Sequence, residues 1–436
     1  MRYTRKIMRL ELSAKMPTND EYYYAELLLP AENYEIRDAM QRLRAVGRED
    51  GVWISILECG ELPALEHVRL DSPTLDELNF FVKRLVSMTD EERIVFNAII
   101  GQVIPEADEG ELIRMKDLIN STYGLDGVMI ASNISTLEEL GRFAFENGMI
   151  EELTDFPEEA VPYLSAEQIG RVQQKNDGGV FVGRYYVVAG EYQRPEIYDG
   201  KTLPNTEEMQ PFMFRLKVGE YPTGATAETE DDAEWICLPI SADHAKKTAL
   251  KHHEPSIEAC VCYDFESSIP QITSEMFGGM LDFDKLNQLA REIEKMASAE
   301  QIKFKAALCA EKPEALAGAL DIAENLSQYN FYTFPETCSQ FFKVYLKIHL
   351  AVEFDGDWLN SLYAKAEGDE LLKRLGASLT DYGVISARGR SLYELVPYRE
   401  QEAKELAVQA VTDEKLEFAE ANLDENEGMQ MGGMRL

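Results

Sequence analysis

Two histidines and two cysteines a short interval apart are the residues whose types suit metal chemistry. His252-His253 precedes Cys260-Val261-Cys262, and imidazole with thiolate is a donor set that suits zinc. An ordinary strand explains the cysteines equally well, because residues two apart share a face. The matching positions in the first half of the chain, Trp53 and Ser55, cannot make a thiolate site. We therefore expect no metal and no cofactor. Dense carboxylates are the second candidate, since paired acids can do acid–base work. They fall in four clusters. The first is Glu106, Asp108, Glu109 and Glu111, and the second Glu138 and Glu139. The third is Glu151, Glu152, Asp155, Glu158 and Glu159, and the fourth Glu228, Glu230, Asp231, Asp232 and Glu234. None has a histidine beside it; the five histidines are His67, His244, His252, His253 and His349. The sequence contains no Walker A loop, no G-x-S-x-G, no H-E-x-x-H and no EF-hand loop. The expectation is a protein without catalytic residues, whose acids are surface charge.

The elements that carry these residues recur. Residues 75–100 and 283–308 align without a gap, with identities at Asp76/Asp284, Leu78/Leu286, Asn79/Asn287, Met88/Met296, Glu92/Glu300, Ile94/Ile302, Phe96/Phe304 and Ala98/Ala306. Weaker matches follow in the same order: Arg9-Leu10 with Arg215-Leu216, Leu29-Pro30 with Leu238-Pro239, and Leu125 with Leu326. Asp177, Gly179 and Val180 match Asp381, Gly383 and Val384. These matches predict two tandem units, 1–205 and 206–400, then an acidic C-terminal segment 401–436 whose end is disordered. Each unit reads as α+β, a small antiparallel sheet with helical subdomains.

In the first unit strands are expected at 8–13, 23–29 and 52–58, with a helix over 31–45. Leu75, Leu78, Phe81, Val82, Leu85 and Met88 form an apolar helical stripe, and Phe283, Leu286, Leu289, Ala290, Ile293 and Met296 rebuild it. Thr74 with Glu77, Thr89 with Glu92 and Ser135 with Glu138 fit capping boxes at helix starts. The recurring Asn79 and Asn287 read as helix-face amides that bond a neighbouring backbone. Residues 201–210 read as the linker, and the acidic stretch 228–234 as a loop between strands.

The 436 residues hold 43 Lys+Arg and 79 Asp+Glu, a net charge of −36. With 45% hydrophobic and 10% aromatic residues the chain can still bury real cores, so its acidity is not that of a disordered tail. This charge argues against direct nucleic-acid binding and against anionic membranes. No stretch approaches 18 apolar residues, and Arg9, Glu11 and Lys15 interrupt any signal core. A cytoplasmic protein with six free thiols is expected. Residues 1–210 carry 39 acids and 21 bases, net −18, which leaves net −18 for 211–436. The 21 lysines lack the depletion associated with a high-salt habitat. Acids could instead stand in for phosphates. Duplex DNA carries about one charge per 1.7 Å, so 36 charges would match at most about 60 Å, or roughly 18 base pairs. Helix positions three or four apart lie about 5–6 Å from each other, the spacing of Glu151 to Asp155.

Several segments point to a family. Leu75 to Asn79 with Arg84-Leu85, Leu118 to Asp126, Glu139 to Phe143 and Asp177 to Phe181 resemble clostridial mobile-element proteins described as ArdA-like antirestriction proteins. Leu281 to Leu308 and Tyr382-Gly383-Val384 carry a fainter likeness. The resemblance implies an elongated acidic protein that imitates bent duplex DNA. It would occupy the DNA groove of a type I restriction–modification enzyme, in its modification and specificity core, or of another DNA-binding defence protein. The four acidic clusters would make that surface, and two tandem units in a monomer could replace the halves of a dimer. The alternative is an acidic interaction protein of a mobile element without DNA mimicry.

Overall fold

A strand with one face in a core must alternate, and the first strand does. In β1 (Met8–Lys15) Met8, Leu10, Leu12 and Ala14 are buried, and Arg9, Glu11 and Ser13 lie on the other face. The computed structural model describes residues 5–15, 22–47, 51–59, 70–103, 112–150, 164–190, 192–204, 211–220, 233–278, 281–350 and 362–392. β1 pairs antiparallel with β2 (Tyr22–Leu29) and β3 (Val52–Glu58), giving the order β2-β1-β3. Helix α1 (Asn33–Arg42) follows β2, shorter than the expected 31–45. Helix α2 (Leu75–Val86) starts at the expected capping box: Thr74 Oγ1 accepts from Glu77 N at 3.2 Å, and Glu77 Oε2 accepts from Thr74 N at 2.9 Å. Thr89 and Glu92 do the same for α3 (Asp90–Val103). Leu78, Phe81, Val82 and Leu85 are buried, each contributing about 1.5–3 kcal/mol of apolar burial. Phe81 meets Phe96 of α3 with ring centroids 5.9 Å apart.

After α4 (Met115–Asn120) come β4 (Met129–Ser132), α5 (Leu137–Glu146), α6 (Ala166–Asp177), β5 (Val180–Val182) and β6 (Tyr185–Val188). The three strands form an antiparallel sheet of order β4-β6-β5. One cap differs from expectation. Thr136, not Ser135, is the N-cap of α5, and its hydroxyl accepts from Glu139 N at 3.2 Å. Both hydroxyl residues were eligible; Glu139 is three residues after Thr136, and this leaves Glu138 free to reach Arg142.

The next run is β7 (Phe214–Gly219), β8 (Glu234–Leu238), α7 (Ala242–Lys251), β9 (Val261–Ser267), α8 (Phe283–Lys295), α9 (Ser298–Glu311) and α10 (Leu316–Glu324). It continues with β10 (Phe331–Tyr332), α11 (Cys338–Leu350), α12 (Leu362–Leu375), β11 (Ala377–Thr380) and β12 (Gly383–Ser386). The described residues are thus α+β, twelve helices with four three-stranded antiparallel sheets. The order of the second run matches the first. Its sheets are β8-β7-β9 and β10-β12-β11, so in each run the first strand is central in one sheet and the last strand central in the other.

Local contacts recur as well. Asn79 Oδ1 accepts from Ala31 N at 2.7 Å, and its Nδ2 donates to Ala31 O at 2.8 Å. Asn287 treats Ile240 the same way, at 2.8 and 3.0 Å. Arg9 pairs with Glu58 across β1 and β3, as Arg215 does with Glu266 across β7 and β9. A Cβ on Gly170 of α6 would lie 1.9 Å from Leu137 O, and one on Gly368 of α12 would lie 2.1 Å from Cys338 O. One sequence match does not correspond. Asp177-Gly178-Gly179-Val180 runs from α6 into β5, whereas Asp381-Tyr382-Gly383-Val384 is the β11–β12 turn and the start of β12. Element order pairs β5 with β11; three identical residues were too short a match to set that register.

The chain forms two compact units. One comprises residues 1–326 with 380–383, the other 327–379 with 384–436. In the first, β1, β2 and helices α1 to α4 share one core with Val187 and Tyr198. In the second, Phe341, Tyr345, Leu371, Leu372, Leu375, Val384 and Leu392 pack together. The expected tail 401–436 and most of the linker, 205–210, lie outside the described residues.

Candidate functional site

The expected acidic surface is only partly within the described residues. Glu106, Asp108, Glu109, Glu111, Glu151, Glu152, Asp155, Glu158, Glu159, Glu228, Glu230, Asp231 and Asp232 lie outside them. Glu138, Glu139 and Glu234 are described, and each has a partner within the chain. Glu138 is ion-paired with Arg142 one turn along α5. Glu139 Oε2 accepts from Ser135 N and Ser135 Oγ, both at 2.8 Å, and these bonds hold its carboxyl below the usual range. Glu234 opens β8, pairs with Lys251 and lies 3.5 Å from His252 Nε2. No hydrogen bond or ion pair links Glu234 to the α5 pair.

Several other surface acids of the first compact unit have no cation within ion-pair distance among the described residues. Asp71, Asp76, Asp126 and Glu146 are exposed in the first run, and Asp243, Asp284, Glu294 and Glu311 in the second. Sequence clustering missed these residues because they are scattered singly along helices and turns.

The histidine and cysteine cluster is dispersed by the fold. His252 is buried at the end of α7, beside Glu234, while His253 is exposed. Cys262 Sγ donates to Asp264 O at 3.3 Å, and Cys260 Sγ to Ser256 O at 3.8 Å. Burial first, and then neighbouring carboxylates, push both thiols up to about 11, so they are protonated near neutrality. Among the described residues no group of three His, Cys, Asp or Glu side chains is arranged to hold a metal.

The segments that carry the family resemblance position backbone. Asn120 Oδ1 accepts from Ile197 N and Tyr198 N, and its Nδ2 donates to Tyr198 O. Asp177 accepts from Gly179 N at 2.9 Å and from the Tyr186 hydroxyl at 2.5 Å.

A buried polar network in the first unit was not expected from sequence. Lys305 of α9 is 3% exposed, and its Nζ donates to Asp38 Oδ1 at 2.6 Å and to Gln41 Oε1 at 2.8 Å. The Tyr382 hydroxyl donates to the same Asp38 oxygen at 2.7 Å, and Arg42 Nε to the other at 3.1 Å. Gln271 Nε2 donates to the Tyr382 hydroxyl at 3.0 Å. Burial lowers the Lys305 pKa, and Asp38 opposes the shift; burial and the Asp38 charge raise that of Tyr382. A cavity of about 110 Å³ opens beside Lys305, between the start of α1, the approach to β7, the end of β9 and α9. The available signal was Lys305 itself, a charge amid the buried run Phe304 to Leu308.

No protein-family model matches this chain, and a search of curated proteins found no relative. Among the described residues no helix is long and apolar enough to cross a membrane.

Proposed function

We propose that this chain is an antirestriction protein of the ArdA-like type. It is a cytoplasmic, non-catalytic acidic DNA mimic that competes with DNA for a type I restriction–modification enzyme. The observation that carries this reading is the charge: net −36, divided as −18 and −18 between residues 1–210 and 211–436. Such a charge opposes compaction through self-repulsion, so a chain that carries it has a use for it. Exposed acids without a cation partner among the described residues, such as Asp71 and Asp126 in one run and Asp243 and Glu294 in the other, are available to a partner's lysines and arginines. The mechanism is competition: carboxylates pair with cations that otherwise grip phosphate, and DNA is excluded.

The repeated strand orders and the paired Asn79 and Asn287 clamps support a tandem duplication. In our reading the two copies take the place of two subunits, and the protein acts as a monomer. The internal pairing of Glu138, Glu139 and Glu234 favours a second reading at those positions, an acidic interaction protein without mimicry.

The test is a type I methylation and cleavage assay with added protein across a salt series. Inhibition that weakens steeply with rising salt supports mimicry, because exposed charge pairs are screened. Absence of inhibition, or inhibition indifferent to salt, overturns it.

A further inference from the structure

The cavity beside Lys305 has a chemistry opposite to that of the chain as a whole. Its base is the Lys305 ammonium, which has three N–H donors. Two are committed, to Asp38 and Gln41, and the third has no oxygen acceptor among the described residues. A turn before Gln41 on α1, the exposed guanidinium of Arg37 also lines the cavity and makes no hydrogen bond or ion pair with any described residue. The remaining wall is mixed, with Asn33, Ser268 and Gln301 among its polar members. Phe212, Met213 and Ile269 face the space, and the Tyr34 ring meets Phe212 edge-on with centroids 5.5 Å apart.

Nearby acids do not cancel this field. Asp38 is shared between Lys305 and Arg42, and the Tyr382 hydroxyl also bonds it. Glu32 at the rim lies 3.9 Å from Lys83. One cation at the base and one at the mouth are therefore left to act on whatever enters. Phe212, Met213 and Ile269 give part of the wall nothing to offer a polar oxygen, which favours an anion that carries an apolar body. An apolar cavity of about 150 Å³ accepts benzene, so about 110 Å³ suits a body no larger than one small ring, with room for a carboxylate where the cavity opens.

We propose that this cavity is a binding site for a small carboxylate with an apolar body, of benzoate size or below. The carboxylate takes the free Lys305 donor and the Arg37 guanidinium, and the body lies against Phe212, Met213 and Ile269. Occupancy of this site does not depend on DNA mimicry.

The experiment is calorimetric titration of the full chain at fixed ionic strength with benzoate, benzyl alcohol and benzylamine. One-to-one benzoate binding is expected, at least tenfold tighter than benzyl alcohol, with no benzylamine binding. Arg37→Gln should weaken benzoate at least tenfold while the free protein melts unchanged, because the exposed Arg37 holds nothing in place. Met213→Trp, with its fold checked by circular dichroism, should fill the space and abolish binding. No benzoate binding, equal affinity for the alcohol, preference for benzylamine, or indifference to Arg37→Gln would each overturn the assignment.

Discussion

Asp38 and Lys305 are bonded at 2.6 Å in the interior of the first compact unit, though 267 residues separate them in sequence. Their relationship is asymmetric. Asp38 also receives Tyr382 and Arg42, whereas among the described residues Lys305 has Asp38 as its one carboxylate. Asp38→Ala therefore strands a buried ammonium and should cost about 3–5 kcal/mol. Lys305→Met leaves Asp38 with two donors and should cost less. The double variant Asp38→Leu with Lys305→Met should recover much of the loss. Urea denaturation of the three variants checks the ranking.

The Asn clamps give a second ranking. Asn79→Ala leaves the Ala31 N–H and carbonyl without their buried partner, at about 1–3 kcal/mol for each group. In Asn287→Ala the Ile240 carbonyl still accepts from Arg291 Nη2 at 2.8 Å. Thermal denaturation should show the larger loss for Asn79→Ala.

Glycines on one helix pair differ in what they tolerate. A Cβ at Gly170 would lie 1.9 Å from Leu137 O, and at Gly141 1.7 Å from Ala166 O. Gly170→Ala must push α5 and α6 apart and should cost more than about 3 kcal/mol, beyond ordinary overpacking. Gly148 has open space and φ +61. Gly148→Ala should cost only about 1–2 kcal/mol, the left-handed backbone penalty. Melting temperatures of the two variants separate the cases.

The Tyr198 hydroxyl donates to Glu77 Oε1 at 2.9 Å, and burial, then Glu77, pushes its pKa up to about 12. The folded value lies above the unfolded value of about 10. Its contribution is therefore complete below pH 10 and is lost as pH rises from 10 to about 12. The stability difference between the native sequence and Tyr198→Phe should be flat below pH 10 and shrink above it. Denaturation across that range measures it.

Much of the fold was legible because it rests on local rules. Strands were expected where β1, β2 and β3 lie, Thr74 and Thr89 marked the starts of α2 and α3, and the Asn79 amide bonds backbone as expected of a helix-face amide. The α5 cap was misplaced by one residue because adjacent Ser135 and Thr136 offer the same chemistry. The cavity was not legible. Tyr34, Phe212, Ile269 and Lys305 come from four separate segments, and nothing in their spacing reports that they meet. Lys305 sits in a helix singled out only for its matches to the first run, and its charge was passed over.

The Lys305 network also bears on where this polypeptide can be divided. Asp38 and Gln41 belong to the first run of elements, while Lys305, Gln271 and Tyr382 belong to the second. A break in the stretch between Pro204 and Pro211 respects the repeat yet splits this set of partners. Each fragment would carry half of a counterion arrangement that only reassociation can complete. The two runs look alike on a topology diagram, but they are not interchangeable parts.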